Sequence, residues 1–213
     1  MKTDDFVTML ATGAGAVEPH AVARRYSMAI GGGMLVAALL MASLLGLRPD
    51  LAAAMLLPMF WVKFGFVAVL AGASLLFALR LSRPGLRLEW APGALVTPVL
   101  GMWLLAAAAL AGADPVERSR LFFGDTWTSC PLLLAMLSAP VFVGVFWAMK
   151  GLAPTRLRLA GAAAGLLSGA VGALVYCLHC PELAAPFVGF WYLLGMLIPT
   201  CVGALLGPWL LRW

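Results

Sequence analysis

The chain of 213 residues is too apolar for a soluble domain, since 63% of its residues are hydrophobic, 11% are charged and the mean hydropathy is +1.01. A water-soluble fold of this length could not bury that much apolar surface. The net charge of +5 does not indicate nucleic-acid binding, because the Lys and Arg residues are dispersed at the ends of apolar stretches. The composition therefore predicts an integral membrane protein that makes no direct contact with nucleic acid.

The chain begins with a polar segment of 26 residues whose charges rule out a cleavable signal peptide. Thr3 can cap a helix whose first turn carries Asp4 and Asp5, and both carboxylates are favourable near the positive end of the helix dipole. Three apolar side chains then fall on one face of that helix: Phe6, Met9 and Leu10. The segment is predicted to be a short amphipathic helix.

The stretch ATGAGA at 11–16 is predicted to end this helix, so that a flexible leash connects it to the first apolar run. An amphipathic peptide on a leash typically becomes ordered on a partner, with its apolar face in a groove. A membrane-surface helix or a frayed terminus fits these residues equally well.

Six apolar stretches follow, each long enough to cross a hydrocarbon core at roughly 20 residues per helix. They cover residues 27–47, 60–79, 94–113, 131–149, 159–178 and 187–211. Backbone polar groups in lipid must be satisfied within the segment, so each stretch is predicted to be a helix. The expected fold is all-α, with a membrane bundle of six helices over 27–213 behind the N-terminal segment 1–26.

The Lys and Arg residues are divided unevenly between the two faces of such a bundle. Ten of the 14 lie on the face that carries both termini: Lys2, Arg24, Arg25, Arg80, Arg83, Arg87, Lys150, Arg156, Arg158 and Arg212. The other face has Arg48, Lys63, Arg118 and Arg120. Because cytoplasmic loops carry the excess of cations, both termini are predicted to be cytoplasmic.

The fifth stretch carries Gly161, Gly165 and Gly169 at four-residue spacing, which places them on one helix face. We interpret them as the packing surface for a neighbouring helix. The sharper alternative, a substrate path, receives little support, because apart from Lys63 the interiors of the six stretches lack Asp, Glu, Lys and Arg. A transporter is therefore disfavoured, and no phosphate loop, serine elbow or paired-histidine motif indicates an enzyme.

The stretch YCLHCPE at 176–182 concentrates reactive side chains on the non-cytoplasmic face. Cys177, His179 and Cys180, together with the distant Cys130, could bind a soft metal such as zinc, although their spacing is not diagnostic. A disulfide is an alternative in an oxidising compartment, either between Cys130 and Cys180 or, with tight geometry, between Cys177 and Cys180. A third possibility is that the cysteines only pack in the apolar interior and that His179 lies at the membrane interface. Cys201, inside the last stretch, is predicted to serve packing.

Five short motifs in order resemble a known family across essentially the whole chain: MKTDDF at 1–6, GLRPDL at 46–51, WTSCP at 127–131, RLRLAG at 156–161 and HCPE at 179–182. They look like the negative regulator of sigma F (NrsF) family of six-span anti-sigma factors in the bacterial inner membrane. Cys177 and Cys201 depart from the pattern that we associate with this family.

The resemblance implies a function and assigns residues to it. The cytoplasmic start, with Asp4, Asp5, Phe6, Met9 and Leu10, would hold an extracytoplasmic-function sigma factor away from RNA polymerase. Two periplasm-facing cysteines would report oxidative or heavy-metal stress, and by position they match Cys130 and Cys180, with His179 and Cys177 beside them. No cofactor is expected other than a bound soft metal. The alternative is a small transporter or metal-efflux component that takes up metal at the outer thiols.

Overall fold

A computed structural model describes residues 3–12, 20–82 and 91–212, and every regular element in these ranges is helical. The short N-terminal helix and the connector helices are α1 Thr3–Thr12, α3 Leu51–Ala54 and α6 Pro115–Phe123. The long helices are α2 Ala21–Leu45, α4 Pro58–Leu81, α5 Ala91–Gly112, α7 Cys130–Lys150, α8 Leu157–Tyr176 and α9 Ala185–Leu210. Single π-helical turns occur at Met41–Leu45 in α2 and at Val188–Tyr192 in α9.

The six long helices confirm the predicted all-α fold, since each is long and apolar enough to span a membrane. Their bounds lie within a few residues of the predicted stretches, except that α2 begins at Ala21 instead of residue 27. Hydropathy missed this turn because Arg24 and Arg25 interrupt the apolar run, although arginine is a good helix former. Similarly, α1 continues through Ala11 and Thr12, beyond the predicted break, and residues 13–19 lie outside the described ranges.

Helix α8 forms the centre of the bundle, with most of its residues buried among α4, α7 and α9. Gly161 and Gly165 lie directly against the α9 backbone at Gly203 and Pro199, so a Cβ atom at either glycine would overlap a backbone carbonyl. Gly169 faces α9 at Met196. The interpretation of this glycine row as a packing surface is confirmed, and it explains why α8 is the least exposed of the six helices.

Helix α2 packs closely on α7. A Cβ atom at Gly33 would lie 2.6 Å from Cα of Val141. One turn from the start of α2, the hydroxyl of Tyr26 shares a 2.7 Å hydrogen bond with Ser82 at the end of α4. Helix α2 is therefore in contact with both α7 and α4. The N-terminal ends of these two helices carry Cys130 and Lys63, which are described below.

Candidate functional site

Segments that are far apart in the sequence meet at the end of the bundle where α7 begins and α8 ends, which we call the thiol end. Nδ1 of His179 donates to the carbonyl of Gly46 at 2.9 Å, and the amide of Arg48 donates to the carbonyl of Leu178 at 3.2 Å. The connector before α7 is attached as well, because the amide of Asp125 donates to Oε1 of Glu182 at 2.8 Å. Both connectors are thereby fixed to the residues that follow α8.

The cysteine-containing turn after α8 is compact because the helical hydrogen bonds continue past Tyr176. The amides of His179 and Cys180 both donate to the carbonyl of Tyr176 at 3.0 Å. Pro181 then has no N–H group with which to extend the helix, and the chain turns away. This geometry directs Cys177 and Cys180 inward, where both are fully buried.

Cys130, the first residue of α7, is brought against this turn. Its thiol is hydrogen-bonded to that of Cys180, and Tyr176 lies beside both sulfur atoms. All four cysteines of the chain are free thiols. Cys130, Cys177 and Cys180 occupy the end of the bundle where they were expected, but all three are fully buried and do not face outward. Cys201 is exposed on α9, so the prediction that it serves interior packing is wrong.

The structure does not assemble the four candidate metal ligands into one site. Among the described residues, no group of three or more His, Cys, Asp or Glu side chains is placed to hold a metal ion. His179 directs its Nδ1 to Gly46, and its ring packs on Tyr176 at 5.7 Å between centroids. The arrangement therefore pairs Cys130 with Cys180 and gives His179 a contact with the α2–α3 connector.

The two thiols of the turn differ in acidity. The hydrogen bond with Cys130, aided by the charge of Lys63, lowers the pKa of Cys180 below its usual value, although burial acts in the opposite direction. Burial raises the pKa of Cys177 to about 11. Because the thiolate is the reactive form of cysteine, Cys180 is the more reactive of the two.

Lys63 lies at the end of the bundle where the cation count places it, but neither hydropathy nor that count predicts its burial. It is 0% exposed, and its Nζ donates to the carbonyls of Glu182 at 2.8 Å and Cys180 at 3.1 Å. The sequence holds a signal for this burial, because the apolar residues Phe60 and Val67 share its helix face. An ionisable residue inside an apolar span is a functional candidate by default.

Arg48 is the second cation of the thiol end that is turned inward, with its side chain 6% exposed. It donates from Nε and Nη2 to the two carboxylate oxygens of Asp50 at 2.8 and 2.7 Å. The hydrogen bond from Arg48 lowers the pKa of Asp50 below its usual value. A weaker contact of 3.4 Å joins Nη1 to the carbonyl of Cys180, so the GLRPDL motif also supports the cysteine-containing turn.

The predicted N-terminal helix lies in the described part of the chain as α1, with Asp4 and Asp5 in its first turn. Its apolar side chains are left uncovered: Phe6 is 45% exposed, and Met9 and Leu10 are each 58% exposed. No residue of α1 is buried. Among the described residues, nothing buries the predicted apolar face of this helix.

Comparison with known proteins extends over the full length. The family described as negative regulator of sigma F (NrsF) matches residues 10–213. The probable anti-sigma-F factor NrsF of Azospira oryzae is 67% identical over 213 residues, which cover all of both chains. The anti-sigma-F factor NrsF of Caulobacter vibrioides is 41% identical over 218 residues, again covering both chains completely. No solved structure matches. The chain thus belongs to the negative regulator of sigma F family.

Proposed function

We propose that this chain is a membrane-bound anti-sigma factor that holds an extracytoplasmic-function sigma factor through its N-terminal segment and releases it under oxidative or heavy-metal stress. The observation that carries the proposal is the similarity to two anti-sigma-F factors over their entire lengths, including the N-terminal segment. A regulator of this kind needs a cytoplasmic binding element and a membrane anchor. The uncovered face of α1 and the six apolar helices meet these two requirements.

The binding element in this proposal is α1. Phe6, Met9 and Leu10 enter an apolar groove of the sigma factor, while Asp4 and Asp5 meet basic side chains at its rim. Their exposure supports this role, because apolar anchors of an amphipathic helix become buried only when the partner arrives. Occupation of the groove keeps the sigma factor at the membrane and away from RNA polymerase.

The sensor in this proposal is the pair Cys130 and Cys180. With hydrogen peroxide, the Cys180 thiol gives up its proton and its sulfur attacks one oxygen. The O–O bond breaks, Cys180 becomes a sulfenic acid, and the other oxygen leaves as water with that proton. The Cys130 sulfur then attacks that of Cys180, an S–S bond forms and a second water leaves. Two thiols are thereby oxidised by two electrons and the peroxide is reduced to water. A soft metal ion such as cadmium would instead be held by the two thiolates, with release of their protons.

Either reaction joins the start of α7 to the turn after α8. Because α7 packs directly on α2 at Gly33 and Val141, a shift of α7 would move the helix that follows the leash. We propose that this contact carries the signal from the thiol pair to α1.

The proposed location is the bacterial inner membrane, with both termini in the cytoplasm. Burial of Lys63 and Arg48 supports this orientation, because it increases the difference in exposed cations between the two faces. Among the described residues, the cations that stay exposed at the thiol end are Arg118 and Arg120. A green fluorescent protein fused after residue 213 is expected to fluoresce, whereas alkaline phosphatase at that position is expected to be inactive. Phosphatase inserted after Asp114, in the connector before α6, should be active. The opposite pattern would reverse the orientation and place the thiols in the cytoplasm.

The proposed partner is tested by capture in detergent. The full-length chain, solubilised from membranes of unstressed cells, is expected to retain an extracytoplasmic-function sigma factor and not the housekeeping sigma factor. A chain that lacks residues 3–12 provides the control and should retain neither. Equal retention of the sigma factor by both chains would contradict the assignment of α1, and retention by neither would contradict the anti-sigma function.

A further inference from the structure

Lys63 carries a buried ammonium group beside the two reactive cysteines. Two of its donors are used by the carbonyls of Cys180 and Glu182. The group also lies 4.7 Å from the ring centroid of Tyr192, in a cation–π contact. Lys63 therefore attaches α4 to both sides of Pro181, in the middle of the turn that presents Cys180.

The charge of Lys63 is not neutralised by a carboxylate. Among the described residues no Asp or Glu forms an ion pair with it, and Glu182 directs its side chain to the amide of Asp125 instead. A buried cation that is solvated only by carbonyls and a ring favours the anionic form of a neighbouring group. Its direct partner among the thiol-bearing residues is Cys180, whose carbonyl it holds, and its charge also acts on the thiol of Cys177.

A second polar group supports the view that this region is built to act on a sulfur atom. The hydroxyl of Tyr192 is buried and has no nitrogen or oxygen partner among the described residues. It lies beside the thiols of Cys177 and Cys180. A thiol is a weak acceptor, and a sulfur anion at Cys180 would give this hydroxyl a stronger one.

On the basis of the proposed role of the thiol pair, we propose that Lys63 is its positioning residue. It holds the turn at 180–182 against Cys130 and makes Cys180 the first thiol of the site to react. In this arrangement Cys130 is the hydrogen-bond donor and the second thiol, and Cys201, exposed on α9, serves as a natural reference.

The test measures the relative reactivity of two cysteines in one molecule. Membranes that contain the full chain without a sigma factor are treated with methyl methanethiosulfonate, from which a thiolate displaces sulfinate to form a mixed disulfide. Mass spectrometry then follows Cys180 and Cys201 separately. Lys63→Met is expected to lower the rate at Cys180 by about tenfold relative to Cys201, because it removes the charge and the anchor of the turn. Lys63→Arg keeps a charged donor and should restore most of the rate.

Lys150→Met is the matched control, since it makes the same substitution at an exposed position at the other end of the bundle, and it should leave the ratio unchanged. If Lys63→Met does not accumulate in membranes, Lys63→Gln, which keeps an amide donor without the charge, is measured in its place. An unchanged ratio would overturn the inference. A rise of the rate at Cys180 would also overturn it, because Lys63 would then only hold the fold together.

This result is independent of sigma-factor release. Loss of induction in the cysteine variants together with an unchanged ratio would reject the role of Lys63 alone. A tenfold change in the ratio without any effect of the cysteines on induction would instead reject the sensor.

Discussion

Replacing Phe6 and Leu10 together with Asp is expected to switch on the sigma-dependent genes in unstressed cells. The two side chains are exposed on one face of α1 and provide its apolar anchors. Loss of a buried anchor typically costs about 2 kcal/mol or more. The two losses together, roughly 4 kcal/mol, would weaken sigma-factor binding by several hundredfold. A reporter under the control of the sigma factor measures the effect, while the level of the chain in membranes should stay normal.

The chain offers a matched control for this variant. Thr8 and Ala11 are also exposed, and at 3.6 residues per turn they lie on the opposite side of α1. Thr8→Asp with Ala11→Asp adds the same charge to the same helix but leaves the apolar face intact, so repression should persist. Full repression in the Phe6 and Leu10 variant, at a normal protein level, would show that α1 does not hold the sigma factor.

Replacing either Cys130 or Cys180 with Ser is expected to abolish induction by cadmium and by peroxide, and to leave repression in unstressed cells unchanged. Each substitution removes one of the two sulfur atoms that meet between α7 and the turn after α8. A serine hydroxyl forms neither a disulfide nor a strong bond to a soft metal ion. The same reporter, with each inducer added separately, gives the measurement.

Two further cysteines serve as controls for these variants. Cys201→Ser changes an exposed thiol of α9 that has no contact with the pair, and its induction should match that of the unmodified chain. The Cys177→Ser chain should also keep normal induction by both inducers, because Cys177 is not paired with Cys130 and burial raises the pKa of its thiol. Normal induction in both the Cys130 and the Cys180 variants would remove the thiol pair from the mechanism.

The architecture could be predicted from the sequence because it depends on local properties. Apolar length predicted the six long helices, and the glycine row of α8 predicted a closely packed neighbour without naming α9. The exception at the start of α2 has a local cause as well, since Arg24 and Arg25 lower the hydropathy of a segment that is nevertheless a good helix former.

The candidate site was less predictable because it is made of contacts between distant segments. Nothing in the residue pattern placed Gly46 against His179, so the histidine was considered as a metal ligand. The pairing of Cys130 with Cys180 was favoured by their position at the outer edge and by family resemblance, but spacing did not exclude Cys177. The burial of Lys63 was not predicted, because counting cations does not show which face of a helix is buried. The neighbours of these residues are distant in the sequence, so their contacts could be identified only in the tertiary structure.

The central claim is that reaction of the thiol pair detaches the sigma factor from α1. The most direct test measures two quantities in the same samples, before and after hydrogen peroxide is added. One is the amount of sigma factor that sediments with the membranes, and the other is the fraction of the chain in which a disulfide joins Cys130 to Cys180. The account predicts that the sigma factor leaves in proportion to the joined fraction, and that it stays bound in the Cys130→Ser chain. A sigma factor that remains bound after the pair has fully reacted, or that leaves equally from the Cys130→Ser chain, would contradict the account.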